Sequence, residues 1–122
     1  MKYEFIEKDG VEYVAFLQGE RELRTEQDAS DLIGACFERG ISRLLLHADA
    51  LSEDFFRLRT GLAGAVMQKL VNYRIRTAVV VPEDRLVLGK AKEMLAELKF
   101  GNAFRSFSNE HEAAQWLARD GG

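Results

Sequence analysis

The sequence predicts an α/β domain: a single-layer mixed sheet, mostly parallel, with helices packed on it in the order β-β-α-β-α-β-α-β-α. Three observations carry this expectation. Strand-prone runs flank Asp9-Gly10 near the start of the chain. Two short, uninterrupted apolar runs, in "SRLLLHAD" and "IRTAVVVPE", have the composition of strands covered on both faces. Around them, apolar residues recur at helical spacing. A hairpin followed by strand–helix alternation implies parallel strands joined by right-handed crossovers.

The opening stretch, "KYEFIEKDGVEYVAFLQG", places Tyr3 and Phe5 before Asp9-Gly10, and Val11, Tyr13, Val14 and Phe16 after it. Asp-Gly between such runs is a strong short-range hairpin signal. It predicts antiparallel strands over 2–8 and 11–18. A helix follows in "TEQDASDLIGACFERG". Thr25 can cap it, and Asp28 can reach back to close a capping box. Ala29, Leu32, Ile33, Cys36 and Phe37 share the spacing of one buried face. Gly40 suits the left-handed position beyond the helix end.

"SRLLLHAD" supplies the next strand. Ser52 then offers a helix cap, with Glu53 and Asp54 in the first turn, where the helix dipole favours acids. Phe55, Leu58, Leu62, Val66 and Leu70 continue a helical pattern towards Tyr73, as one helix or as a turn and a helix starting near Thr60. Gly61 and Gly64 each weaken it by about 1 kcal/mol relative to alanine. "IRTAVVVPE" is the following strand, stopped by Pro82. Val87, Ala91, Met94, Leu95 and Leu98 form a third helical face. "AFRSFS" is a last strand. Asn109 and Glu112 form a second capping box, opening a final helix that buries Ala113, Trp116 and Leu117.

The totals bound the function. The chain has 122 residues, 47% of them hydrophobic, which suffices for one core without staples and predicts one domain over 1–122. A net charge of −3 argues against a general nucleic-acid binder. No apolar stretch reaches membrane-spanning length, and "MKYEFIEKDG" lacks the apolar core of a signal peptide. One cysteine excludes an internal disulfide framework and a multi-cysteine zinc site. These features together point to a cytoplasmic protein with no membrane partner.

His47 leads the candidates for chemistry. It stands at the carboxyl end of an expected central strand, where open α/β sheets place functional groups. Asp49, Glu53 and Asp54 follow it. A histidine beside carboxylates can act as a base, a proton-sensitive group or a metal ligand. The plainer reading is a ring that pins the strand-to-helix loop. His111 falls at an expected exposed helix start, and the two histidines do not share metal-site spacing. Thr60 and Gly61 lie before small residues that can open a helix, where free N–H groups hold anions. Arg57 and Arg59 could add charge-assisted bonds. The plainer reading is that Thr60 caps or continues the helix, while Gly61, Ala63, Gly64 and Ala65 let it approach the sheet.

Cys36 reads as a small buried hydrophobe rather than a reactive thiol. Lys69, Arg74 and Arg76 form a local basic cluster, read as solvated edge charge. Adjacent Phe55 and Phe56 diverge by about 100° on a helix, so one is expected in the core and the other partly exposed, as on a self-association or partner surface.

The stretch "LLLHADALSEDFFRLRTGLAGAVMQKLVNYRIRTAVV" resembles the hallmark segment of a bacterial family, domain-of-unknown-function family 4180. The resemblance rests on His47, Leu51, Ser52, Phe55, Phe56, Leu58, Thr60, Gly61, Ala63, Gly64, Asn72, Tyr73 and Arg74, and extends to the "EKDGV" hairpin and the first helix. More distantly, the element order is similar to that of STAS domains, the anti-sigma-factor-antagonist fold. That resemblance puts Thr60, with Gly61 and Leu62, at the family's phosphoacceptor position. Arg57-Leu58-Arg59 stands where the family's motif carries its acidic residue.

Two functional classes follow. The first is a non-enzymatic regulatory module that binds a protein partner or a second copy of itself through Phe56, Arg57, Arg59 and Thr60. The alternative is a small-molecule or anion-binding protein, a hydrolase included, centred on His47, Asp49, Asp54, Thr60 and Gly61. Neither reading calls for a metal or a cofactor.

Overall fold

A computed structural model describes residues 3–16, 25–47, 62–81 and 103–119. The first strands, β1 (Glu4–Lys8) and β2 (Val11–Phe16), form the expected hairpin. Asp9 (φ 52°) and Gly10 (φ 79°) are both left-handed, as a two-residue turn of matching twist requires.

Helix α1 (Glu26–Glu38) starts on the expected box: Thr25 Oγ1 accepts from the Asp28 N–H at 3.2 Å, and the Thr25 N–H donates to Asp28 Oδ2 at 3.1 Å. It ends with Gly40 at φ 66°. The Ile41 N–H donates to Cys36 O at 2.8 Å, and the Gly40 N–H to Phe37 O at 3.1 Å. These bonds satisfy two carbonyls that the helix end leaves open, and they seat buried Ile41 in the core.

Strand β3 (Arg43–His47) follows, then helix α2 (Leu62–Asn72) and strand β4 (Arg76–Val80). The end of α2 repeats the device at the end of α1. The Ile75 N–H donates to Leu70 O and the Arg74 N–H to Val71 O, both at 2.9 Å. Here the left-handed residue is Arg74 (φ 57°), not glycine. Strand β5 (Phe104–Phe107) and helix α3 (Glu110–Ala118) complete the described elements. Asn109 caps α3, with its Oδ1 accepting from the Glu112 N–H at 2.8 Å. The expected helix through Val87, Ala91, Met94, Leu95 and Leu98 lies outside the described residues, as does the stretch from Ser52 to Gly61.

The strands lie in the order β1-β2-β3-β4-β5. The β1–β2 pair is antiparallel and the remaining pairs are parallel. Sequential parallel strands with right-handed crossovers put their helices on one face. There α1 and α2 pack, over Val14, Phe16, Leu44, Leu46 and Val79. The alternate side chains Tyr13, Ala15, Leu45, Ala78 and Val80 form a second core under α3, with Ala113, Ala114, Trp116 and Leu117. Central β3 is therefore clothed on both faces. Leu44, Leu45 and Leu46 are fully buried, each worth about 1.5–3 kcal/mol relative to exposure. Among the described residues, no helix is long and apolar enough to cross a membrane.

Three expectations are corrected. Phe37 is 57% exposed rather than part of the buried face of α1. At 100° per residue, buried Ala35, Leu32, Cys36, Ala29 and Ile33 span an arc of about 160°, and Phe37 falls about 40° beyond its edge. Arg76 is not solvated edge charge; it packs against α3, as described below. Gly64 is not needed for close approach to the sheet, since among the described residues nothing lies within 4 Å of a Cβ added there.

Candidate functional site

Strand alternation fixes what each end of β3 and β4 presents. Arg43, Leu45 and His47 share the α3 face of β3, and Arg76, Ala78 and Val80 share that face of β4. Arg43 and Arg76 are register partners at the amino ends of these strands. His47, paired with Val80, closes the carboxyl end.

At the amino end, both arginines hold the last turn of α3. Arg43 Nε donates to Leu117 O at 2.7 Å, and an Arg76 guanidinium N–H donates to Arg119 O at 2.9 Å. The carbonyls at a helix C-terminus lack intrahelical partners and carry the negative end of its dipole, so two cations there are doubly placed. The Arg76 guanidinium also lies 4.0 Å from the Trp116 ring centre, with Arg105 at 5.6 Å on the same ring. Phe107 packs against Trp116 with ring centres 5.6 Å apart. This end is structural. A shallow depression of about 260 Å³ beside it, lined by Asp9, Gln115, Ala118 and Arg119, opens at the rim opposite His47.

At the carboxyl end, His47 is half-buried at the rim of the central strand, as its place in the sequence predicts. Its proposed companions Asp49, Asp54, Thr60 and Gly61 lie outside the described residues, as do Phe56, Arg57 and Arg59. His111 is exposed in the first turn of α3. Tyr13, on the same face of the sheet, has its hydroxyl pKa raised, first by burial and then by the charge of Glu110. Cys36 is fully buried, and burial pushes its thiol up to about 11, which suits the inert reading. Among the described residues, no group of three His, Cys, Asp or Glu side chains could hold a metal ion.

The sequence did not point to a second surface, formed where α1 and α2 end together. Phe37 and Tyr73 are 57% and 51% exposed, yet their rings meet edge to face with centres 5.5 Å apart. Each belongs to a helix terminus fixed by the paired backbone bonds described above. Two residues beyond Phe37, Arg39 reaches the other way. Its guanidinium lies 4.1 Å from the Phe5 ring centre and 3.4 Å from Glu12 Oε2. Phe37 lies about 40° beyond the buried arc of α1, a displacement that shows only once Ala35 is known to be buried.

No curated protein and no solved structure matches the chain. A family model does, over residues 8–117, which takes in the hairpin turn, β2 to β5, α1, α2 and all of α3 but its last residue. On that match the chain belongs to the family described as "Domain of unknown function (DUF4180)".

Proposed function

We propose that this chain is a cytoplasmic, non-enzymatic regulatory module of STAS-like fold that works by binding another protein. The observation that carries the reading is the Phe37–Tyr73 pair. Large aromatic rings bury about 150–250 Å² each when covered, so leaving two in contact on the surface forgoes a sizeable hydrophobic gain. Exposed apolar clusters of this kind are typical of interaction sites, where aromatic residues are enriched. The rigid helix ends beneath them lower the ordering cost of binding. The order of strands and helices supports the STAS likeness at the level of architecture.

The test compares the wild-type chain with a Phe37→Ser/Tyr73→Ser variant as bait in an extract of the source cells. Partners retained by the wild type and lost from a folded double variant are expected. The same partners on both baits would overturn the reading. Reversing the charges of Arg57 and Arg59 tests whether that stretch belongs to the same surface.

A second reading, an anion or small-molecule site, is favoured by half-buried His47 at the carboxyl end of the central strand. The chain has only two histidines, so both can be followed by NMR. On this reading, inorganic phosphate or a nucleotide shifts the His47 titration and leaves His111 unmoved. An unresponsive His47 would remove the second reading.

A further inference from the structure

We propose that β1 pairs with β1 of a second copy of this chain, antiparallel, about a two-fold axis through Ile6. This inference does not rest on the Phe37–Tyr73 reading and uses a different part of the molecule.

The hairpin turn sets the phase of the strand. A two-residue loop closes on a hydrogen-bonded pair, here Lys8 with Val11. Antiparallel ladders then alternate, so Lys8, Ile6 and Glu4 exchange backbone bonds with β2. Phe5 and Glu7 sit at the intervening positions, and their N–H and C=O groups are aimed away from β2. Since β1 is the first strand of the sheet, these groups form an open edge with no neighbouring strand among the described residues. Such an edge is a template for another strand.

The side chains choose the register. Outward groups must face outward groups, so a two-fold axis can pass through Phe5, Ile6 or Glu7. An axis at Glu7 sets Glu7 against Glu7. An axis at Phe5 sets Glu4 against Ile6 and leaves Lys8 beyond the paired strand. An axis at Ile6 sets Glu4 against Lys8, and the symmetry repeats that pair. Phe5 and Glu7 then form the hydrogen-bonded pairs, and Ile6 meets Ile6 at the closer, non-hydrogen-bonded position. Charges on an edge strand ordinarily discourage pairing. On β1 they repel in the Glu7 register, go unpaired in the Phe5 register and form opposite-charge pairs in the Ile6 register alone. The strand also carries apolar surface to cover. Phe5 is 38% exposed, and Ile6 is only partly buried against the α3 core.

Charge exchange in the full-length chain tests both partner and register. Sedimentation equilibrium of the wild type is expected to show a reversible dimer. Glu4→Lys or Lys8→Glu alone turns each attractive cross-strand pair into a repulsive one, and is expected to weaken the dimer about tenfold. The double exchange restores opposite charges and is expected to return the affinity to within about threefold of the wild type. Circular dichroism confirms that each variant is folded. Oxidation of an Ile6→Cys variant is expected to give a disulfide-linked dimer, because the only native thiol, Cys36, is buried. Glu4→Cys, which faces Lys8 rather than itself, is expected to stay unlinked. A wild type that remains monomeric up to millimolar concentration would overturn the proposal. So would a double exchange no tighter than the single variants, or equal cross-linking of the two cysteine variants.

Discussion

The matched ends of α1 and α2 allow backbone strain to be measured within one molecule. Both helices close with the same pair of backbone bonds, and both require a left-handed residue one position beyond the cap. α1 meets the requirement with Gly40, at φ 66°, and α2 with Arg74, at φ 57°. A side chain bearing a Cβ pays roughly 1–2 kcal/mol for that conformation. Glycine avoids this but gives up about 0.5–1 kcal/mol more chain entropy on folding. The exposed Arg74 side chain offers little packing to lose. Arg74→Gly is therefore expected to stabilise the protein by about 0.5–1 kcal/mol. For a chain of this size that raises the melting temperature by about 2–4 °C. Gly40→Arg is the reverse experiment. Among the described residues a Cβ at Gly40 meets nothing within 4 Å, so its cost is conformational, about 1 kcal/mol of destabilisation. Urea unfolding followed by circular dichroism reads both. If Arg74→Gly destabilises while Gly40→Arg costs the expected amount, the Arg74 side chain makes a contribution larger than its backbone strain, and the strain reasoning fails.

Three further outcomes follow from the same structure. Arg43→Met removes a part-buried charge-assisted bond from the end of α3 and is expected to cost about 1.5–3 kcal/mol in urea unfolding; a cost below 0.5 kcal/mol would contradict the structural role of that arginine. Gly34→Ala, on the exposed side of α1 with no described residue within 4 Å of the added Cβ, is expected to stabilise by about 1 kcal/mol, and a loss of stability would refute it. Burial holds the Cys36 thiol protonated in the folded chain to about pH 11, whereas in the unfolded chain it ionises near its ordinary value of 9.0. The unfolded state thus sheds its proton first, so this group's contribution is complete below pH 9 and is lost as pH rises towards 11. Cys36→Ala should flatten that alkaline fall, and a thiol reagent at pH 8 should label Cys36 only on unfolding.

What the sequence revealed divides along the range of the interactions. The hairpin, the Thr25 capping box, the cap at Asn109 and the left-handed Gly40 are decided within a few residues, and each could be read from its own stretch. The layering of Leu44–Leu46 was also legible, because an uninterrupted apolar run has few other homes. Arg76 was not. In the sequence it neighbours Lys69 and Arg74, but strand alternation turns it to the opposite face, where its partners Trp116 and Arg119 come from far along the chain. Phe37 was misplaced because an arc drawn without Ala35 extends too far round the helix. The end of α2 lacked a glycine to announce it. Its clue was the buried isoleucine after the turn, Ile75, which matches Ile41 after Gly40. Of the candidate sites read from the sequence, the structure supports the place of His47 at the strand end, while its companions lie outside the described residues.

The His47 rim, the Phe37–Tyr73 pair and the β1 edge are all located relative to one strand, β3, held in the middle of the sheet and covered on both faces. Amide hydrogen exchange tests that most directly. The amides of Leu44, Leu45 and Leu46 should exchange only through global unfolding, with an opening free energy equal to that from urea denaturation. Exchange of those amides as fast as in the β1 edge strand of the dilute protein would contradict the account.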